Sequence, residues 1–133
     1  MRLRFVISAL LLVIPVMFSA CSSNGNNNNN DIEIKLAPIH EVDIRFAESY
    51  PIQVFLYVKG GLSDGCTTFH SIEIKSRSGN SIKVEVTVER PKDKFCPAVY
   101  TYFEQNLNLG TDFKSGETYK VVVNDKSVSF KMQ

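Results

Sequence analysis

The amino-acid sequence predicts an all-β domain, an antiparallel β-sandwich of seven or eight strands. Apolar and polar residues alternate with a period of two over most of residues 31–133, which is typical of strands with one buried face. No window shows the sustained apolar spacing of an amphipathic helix. Turn-forming residues separate the alternating runs at intervals of roughly ten residues. A small β-barrel is the alternative.

The alternating runs define the expected strands in chain order. Their apolar positions are Ile32, Ile34 and Leu36; Val42, Ile44 and Phe46; Ile52, Val54, Leu56 and Val58; Ile72 and Ile74; Ile82, Val84, Val86 and Val88; Tyr119, Val121 and Val123; and Val128, Phe130 and Met132. Residues 98–105 are rich in β-branched and aromatic side chains, which favours a further strand. We expect each apolar face to lie on the core.

Short polar and glycine-containing segments predict the connections. Ser78-Gly79-Asn80 and Asn124-Asp125 each separate two apolar runs and predict tight turns. Gly60-Gly61 and Ser63-Asp64-Gly65 are expected to be loops.

A tyrosine near the end of the chain indicates which type of sandwich is expected. Residues 115–119 read SGETY, which resembles the tyrosine corner of Greek-key sandwiches, with Tyr119 opening a strand. A cysteine pair across the middle of the domain also favours the immunoglobulin-like type. The chain contains no Trp, so the buried Trp of antibody domains is missing.

The first twenty residues predict an export signal. Arg2 and Arg4 precede an apolar run over residues 5–18, and the small residues Ser19 and Ala20 follow. The run has only fourteen residues, whereas a membrane-spanning helix needs roughly 20. We therefore expect residues 1–20 to be a signal peptide, with an uncleaved membrane helix as an alternative.

The four residues FSAC at positions 18–21 resemble the lipobox of bacterial lipoproteins, except that Phe18 stands where Leu is usual. The resemblance implies that Cys21 carries a diacylglyceryl group and becomes the first mature residue; plain secretion is the alternative. Residues 22–30 read SSNGNNNNN and are expected to be a tether about 17 Å long. Residues 31–133 would then form one extracytoplasmic domain in the cell envelope, anchored to a bacterial membrane.

Two cysteines remain once Cys21 is assigned to the lipid. Cys66 and Cys96 would be exported to an oxidising compartment, which favours a disulfide between them. A metal site formed by the two cysteines with His40 and His70 is the minor alternative, as are free thiols. No paired-ligand motif supports the metal site.

The distribution of charge argues against nucleic acid as a partner. Without Arg2 and Arg4 the chain has thirteen basic and fourteen acidic residues, a net charge of −1, and the two signs are interspersed. This distribution lacks the basic patch of a nucleic-acid-binding protein. No pattern predicts a cofactor or an oligomeric state.

Several motifs together resemble a group of small bacterial exported domains. They are the loop GLSDGCT at residues 61–67, a Gly-Asn turn at 79–80, an R-P-x-D-x-x-C loop at 90–96, Phe-Glu at 103–104, and the strand GETYKVVVN at 116–124. The resemblance covers nearly all of residues 37–133. It implies the sandwich and the disulfide, and no activity.

The sequence therefore favours a non-catalytic domain that binds an envelope protein or polymer. Arg90, Lys92, Lys94, Phe95 and Tyr100 are the candidate contact surface, because a proline-stiffened basic loop lies beside aromatic residues there. An exported inhibitor of a protease or other hydrolase is the alternative function. No nucleophile, acid–base pair or metal cluster predicts an enzyme.

Overall fold

A computed structural model describes residues 31–133, which form eight β-strands. The strands are β1 (Ile32–Leu36), β2 (Ile39–Phe46), β3 (Val54–Leu62), β4 (Thr68–Ser78), β5 (Ser81–Pro91), β6 (Thr101–Gly110), β7 (Thr118–Val123) and β8 (Lys126–Lys131). The predicted signal peptide (1–20), Cys21 and the tether (22–30) lie outside the described residues. In the described part of the chain, no helix is long and apolar enough to cross a membrane.

The strands form two sheets, which confirms the predicted sandwich. One sheet has the order β2-β3-β6. The other has five strands: β5 is central, β4 pairs with one of its edges, β1 and β7 pair with the other edge, and β8 lies beyond β7. Since the described strands form two separate sheets, the alternative of a small closed barrel is wrong for residues 31–133.

β1 and β7 share one edge of β5, and Asn124 fills the gap between them. β1 pairs with residues 87–91 and β7 with residues 81–84. The Asn124 amide nitrogen donates to the carbonyls of Ala37 and Val86, both at 2.9 Å, and its Oδ1 accepts the Val86 N–H at 3.0 Å. At φ 49° its backbone lies in the left-handed region that Asn tolerates. One side chain therefore supplies hydrogen bonds that a continuous strand would have made.

The pairing of β5 with β7 is parallel, so the expectation of antiparallel neighbours throughout is wrong at this pair. The cause is the route of the chain. β6 follows β5 in sequence but belongs to the other sheet, so β7 returns in the direction of β5. Alternation of side chains is the same in parallel and antiparallel strands, and the sequence pattern therefore could not distinguish them.

The core lies between the sheets and consists mainly of aliphatic side chains from three strands. The largest completely buried side chains are Val54, Leu56 and Val58 of β3, Val84 and Val86 of β5, and Val121 and Val123 of β7. Each such side chain contributes roughly 1.5–3 kcal/mol by leaving water. These positions match the predicted apolar faces of β3, β5 and β7.

β1 presents its apolar side chains outward, contrary to the prediction. Ile32, Ile34 and Leu36 are 50%, 53% and 60% exposed. Ile34 pairs with Glu89 and therefore shares the outer face of the sheet with it. The opposite face of β1 carries Glu33 and Lys35, which form an ion pair and are themselves 41% and 65% exposed, so β1 buries neither face. The first buried residue after β1 is Ala37, where the chain crosses to β2.

Gly60 and Gly61 lie inside β3 and not in a loop, which corrects a second prediction. A Cβ atom at Gly60 would lie 2.2 Å from Cζ of Phe103, and one at Gly61 would lie 1.8 Å from Oη of Tyr100. Each glycine thus admits an aromatic ring onto the strand, one on the core side and one outside. The two glycines make room for these rings and do not form a turn, so β3 continues through them.

The sandwich has two distinct ends. At the end that we call the tyrosine-corner end, the backbone N–H of Lys114 donates to Oη of Tyr119 at 2.9 Å, which confirms the predicted tyrosine corner. The Tyr119 ring stacks on Phe130, with centroids 5.6 Å apart, and meets Phe113 edge-on at 4.9 Å. The opposite end, called the disulfide end, contains the connections from β3 to β4 and from β5 to β6.

Candidate binding surface at the disulfide end

A disulfide joins the two connections at this end. Cys66 lies between β3 and β4, Cys96 lies between β5 and β6, and their Cα atoms are 5.6 Å apart. The N–H of Gly65 also donates to the carbonyl of Pro97 at 2.9 Å. The pairing confirms the predicted disulfide. It also removes both sulfur atoms from the alternative metal site, since each is bonded to the other. The cysteines lie in loops and do not cross the core as in antibody domains.

Asp64 organises the first of these connections. Its Oδ1 accepts hydrogen bonds from the Cys66 and Thr67 N–H groups and from the Thr67 hydroxyl, at 2.8–3.0 Å. Its Oδ2 accepts from Nε of Arg90 at 2.6 Å. Hydrogen bonding to Arg90 is the largest cause that lowers the pKa of Asp64 from 3.8 to about 2. The carboxylate is therefore charged over the whole neutral range.

Arg90, at the end of β5, is engaged within the protein. Besides Asp64, its guanidinium donates to the carbonyl of Pro91 at 3.1 Å and to that of Lys94 at 3.2 Å. Its side chain is only 32% exposed. Arg90, one of the predicted contact residues, therefore holds the following loop in place through hydrogen bonds within the protein.

Lys92, Lys94 and Phe95 are exposed in that loop. The Phe95 ring is 97% exposed, which is unusual for a phenylalanine. The loop is tied to the start of the domain, because the Lys92 N–H donates to the carbonyl of Asp31 at 2.6 Å. The predicted loop residues therefore lie where the chain enters the sandwich.

Tyr100 lies on a different surface, in a group that we call the aromatic cluster: His40, Tyr100 and Tyr102. Nε2 of His40 and Oη of Tyr100 are hydrogen-bonded at 2.5 Å, and the three rings meet edge-on with centroids 5.2–5.8 Å apart. Nζ of Lys59 lies 5.0 Å from the centroid of Tyr102. The cluster rests on Gly61, so it covers the outer face of the three-stranded sheet.

The sequence prediction named the aromatic residues that follow the loop, Tyr102 among them, but it did not include His40, Lys59 or Gly61 in this surface. Gly61 carried the usable signal, because a glycine inside an apolar strand pattern indicates close approach of another group. The residue that approaches it, Tyr100, is far away in sequence and could not be identified from spacing.

Both histidines occupy β-bulges. The register shifts between Ile39 and Glu41 and again between Phe69 and Ser71, which leaves His40 and His70 as the extra residues. A bulge turns a side chain away from the regular alternation. It directs His40 to Tyr100, and it brings Nδ1 of His70 to 2.7 Å from Oε2 of Glu89.

The comparisons with known proteins agree with the fold. Residues 56–132 match the ORF11 beta-sandwich domain family. The chain is 40% identical over 94 residues to an uncharacterized 10.2 kDa protein in the HgiCIIM 5′ region of Herpetosiphon aurantiacus, covering 71% of this chain and 98% of the relative.

Two further relatives from that organism are uncharacterized 10.2 kDa proteins in the HgiBIM and HgiEIM 5′ regions. Each is 38% identical over 84 residues, covering 63% of this chain and 100% of the relative. No solved structure matches the chain. On the match over residues 56–132, the chain belongs to the ORF11 beta-sandwich domain family.

Proposed function

We propose that this protein is a non-catalytic domain of the cell envelope, held to a membrane by a lipid on Cys21, that binds a partner protein or polymer. The observation that carries the binding role is the aromatic cluster. Tyr100 and Tyr102 are 47% and 56% exposed, although they pack on each other and on His40.

The cluster has the properties of a contact site. Tyrosine combines a large apolar ring with a hydroxyl that can hydrogen-bond, and for this reason it is enriched at protein interfaces. Here the hydrogen bond between His40 and Tyr100 and the ring contacts hold the side chains in place before any partner binds. Pre-ordered side chains lose less entropy on binding. These features favour a protein partner over a polymer.

The surroundings of the histidines favour a non-catalytic role. Nucleophilic catalysis of the Ser–His or Cys–His type needs a serine, threonine or cysteine within hydrogen-bonding reach of a base. In residues 31–133, His40 is hydrogen-bonded to a phenol and His70 to a carboxylate. The inhibitor alternative stays a prediction, since no contact favours it over other kinds of partner.

Site-specific photo-cross-linking in cells tests the binding role. A photo-reactive residue at Val99, which is exposed beside the cluster, should yield a defined cross-linked product, and Tyr102→Ala should remove that product. The matched control carries the reactive residue at Tyr50, which is fully exposed on the connection between β2 and β3 at the other end. Equal products from both positions, or a product unaffected by Tyr102→Ala, would contradict the proposed surface. Mass spectrometry of the product identifies a protein, and sugar analysis identifies a polymer.

The lipid anchor is tested separately. The mature protein should lack residues 1–20 and carry a diacylglyceryl group on Cys21, as measured by intact mass. Cys21→Ser should release the protein from the membrane fraction. A membrane-extracted protein that retains residues 1–20 would contradict the anchor and leave the binding role untouched.

A further inference from the structure

Exposed apolar side chains are concentrated at one end of the sandwich. Among the described residues, nine large apolar side chains are exposed, and seven of them lie in β1 or in residues 95–102. They form two groups on opposite sheets. Tyr100 and Tyr102 cover the three-stranded sheet, whereas β1 presents its row of Ile32, Ile34 and Leu36 on the five-stranded sheet.

We infer that the outward row of β1, together with Phe95, rests on the lipid bilayer and holds the domain in one orientation. We call these four side chains the β1 seat. This inference rests on the proposed lipid anchor and adds a contact between the folded domain and the membrane.

The position of the β1 seat relative to Cys21 is the first argument. β1 begins at Ile32, and the loop that carries Phe95 is hydrogen-bonded to Asp31 through Lys92. Ten residues from Cys21 to Asp31 span at most about 36 Å when fully extended. The anchor therefore keeps the disulfide end, and the β1 seat with it, near the membrane.

The composition of the β1 seat is the second argument. Three aliphatic side chains at 50–60% exposure share one face of β1, and a phenylalanine at 97% exposure lies in the loop that is hydrogen-bonded to the start of that strand. Large exposed apolar patches mark sites of interaction with proteins or membranes. Such side chains bind the boundary between headgroups and acyl chains by burying apolar area. A bilayer accepts them without the matching hydrogen bonds that a specific protein partner would require.

Charge near the β1 seat is mixed. Glu89, beside Ile34 on the outer face, is hydrogen-bonded to His70, and the loop that follows β5 carries charges of both signs. Lys92 and Lys94 lie close to Asp31 and Asp93 at the rim of one shallow depression. With two charges of each sign, the depression has no strong preference for anionic headgroups. Docking should therefore depend on apolar contact and change little with salt or with the content of anionic lipid.

The inferred orientation has a consequence for the proposed function. With β1 against the bilayer, the outer face of the three-stranded sheet points away from the membrane. His40, Tyr100 and Tyr102 would then be held in a fixed direction toward partners in the envelope.

Tryptophan fluorescence tests the β1 seat directly, because the chain contains no Trp. The lipidated full-length mature protein is placed in phosphatidylcholine vesicles that contain brominated lipid, once as Phe95→Trp and once as Tyr50→Trp. Both positions are fully or almost fully exposed, so neither change should disturb folding. We expect emission at position 95 to be quenched and shifted to shorter wavelength, and emission at position 50 to remain that of a residue in water.

A second pair of variants tests the row on β1. In the Phe95→Trp protein, Ile34→Glu should lower the ratio of docked to undocked molecules about tenfold, the factor that about 1.4 kcal/mol represents. Asn106→Glu adds the same charge at an exposed position on β6, in the opposite sheet, and should leave the quenching unchanged.

The outcomes separate the two proposals. Intact mass of the same samples reports the lipid on Cys21. If Cys21 is lipidated and position 95 is not quenched, or positions 95 and 50 are quenched equally, the β1 seat is wrong and the anchor stands. If the mass shows no lipid but vesicles still quench position 95 alone, the anchor is wrong and the β1 seat stands.

Discussion

At the tyrosine-corner end of the sandwich, Phe113, Tyr119 and Phe130 pack ring against ring, whereas at the disulfide end Phe95 and Tyr102 are largely exposed. The first end closes the core with aromatic side chains. The second end also packs Phe103 against Phe69, but its connecting loops are held by a disulfide and by the ion pair between Arg90 and Asp64.

This difference indicates how the domain makes aromatic side chains available for contact. Loops that a covalent bond and buried hydrogen bonds hold in place need few apolar side chains to order them. The aromatic residues in such loops can then be exposed without loss of the fold. Cross-links at one end thus allow aromatic side chains to stay exposed there, whereas packing alone would have to bury them.

Truncating one phenylalanine at each end should show the contrast most strongly. Phe130→Ala removes a buried ring that contacts Phe113, Tyr119 and Phe46, and we expect it to cost about 3–5 kcal/mol of unfolding free energy. Phe95→Ala should change stability by about 0.5 kcal/mol or less. Urea unfolding of both variants measures the difference, and equal losses would contradict the division into a packed and an exposed end.

Removal of the disulfide should destabilise the other end. Cys66 and Cys96 are 30 residues apart in sequence, and closing a loop of that length is worth about 3–4 kcal/mol in the chain-entropy model. The double change to Ala should lower Tm by roughly 15–25 °C. Cys21→Ser serves as the control and should leave Tm unchanged. A wild-type Tm that is the same with and without reductant would show that the disulfide does not stabilise this end.

Acid should weaken the disulfide end through Asp64. Its pKa is lower in the folded protein, about 2, than its ordinary value of 3.8, so its charged form stabilises the fold above about pH 4. That contribution is lost as the pH falls from about 4 to 2. The difference in unfolding free energy between wild type and Asp64→Asn should therefore shrink over this range. A difference that stays constant from pH 6 to pH 2 would argue against the ion pair with Arg90.

Much of the fold could be predicted from local pattern. Alternation over residues 82–88 identified β5 and the face that it buries, and SGETY identified the corner at Tyr119, because both features depend on residues close in sequence. The pairing of Cys66 with Cys96 followed from counting the cysteines on the expectation that the domain is exported.

The candidate surface was predicted only in part. Phe95, Lys92 and Lys94 are exposed in the predicted loop, but Arg90 turns inward to Asp64, and Tyr100 belongs to another surface with His40 and Tyr102. Partners of this kind are 26 and 60 residues apart in sequence, and nothing in the composition of either segment specifies the other.

The sequence by itself determined most of the strands, the turns at Gly79-Asn80 and Asn124-Asp125, the tyrosine corner and the cysteine pair, since each depends on spacing, residue type or count. Only the tertiary structure decided which way β1 faces, why Gly61 must lack a side chain, and where the exposed aromatic residues gather. The physical reason is that alternation defines two faces of a strand without saying which one is buried. In β1 neither face is buried, and the pairing with β5 fixes which side chains lie on the outer face of the sheet.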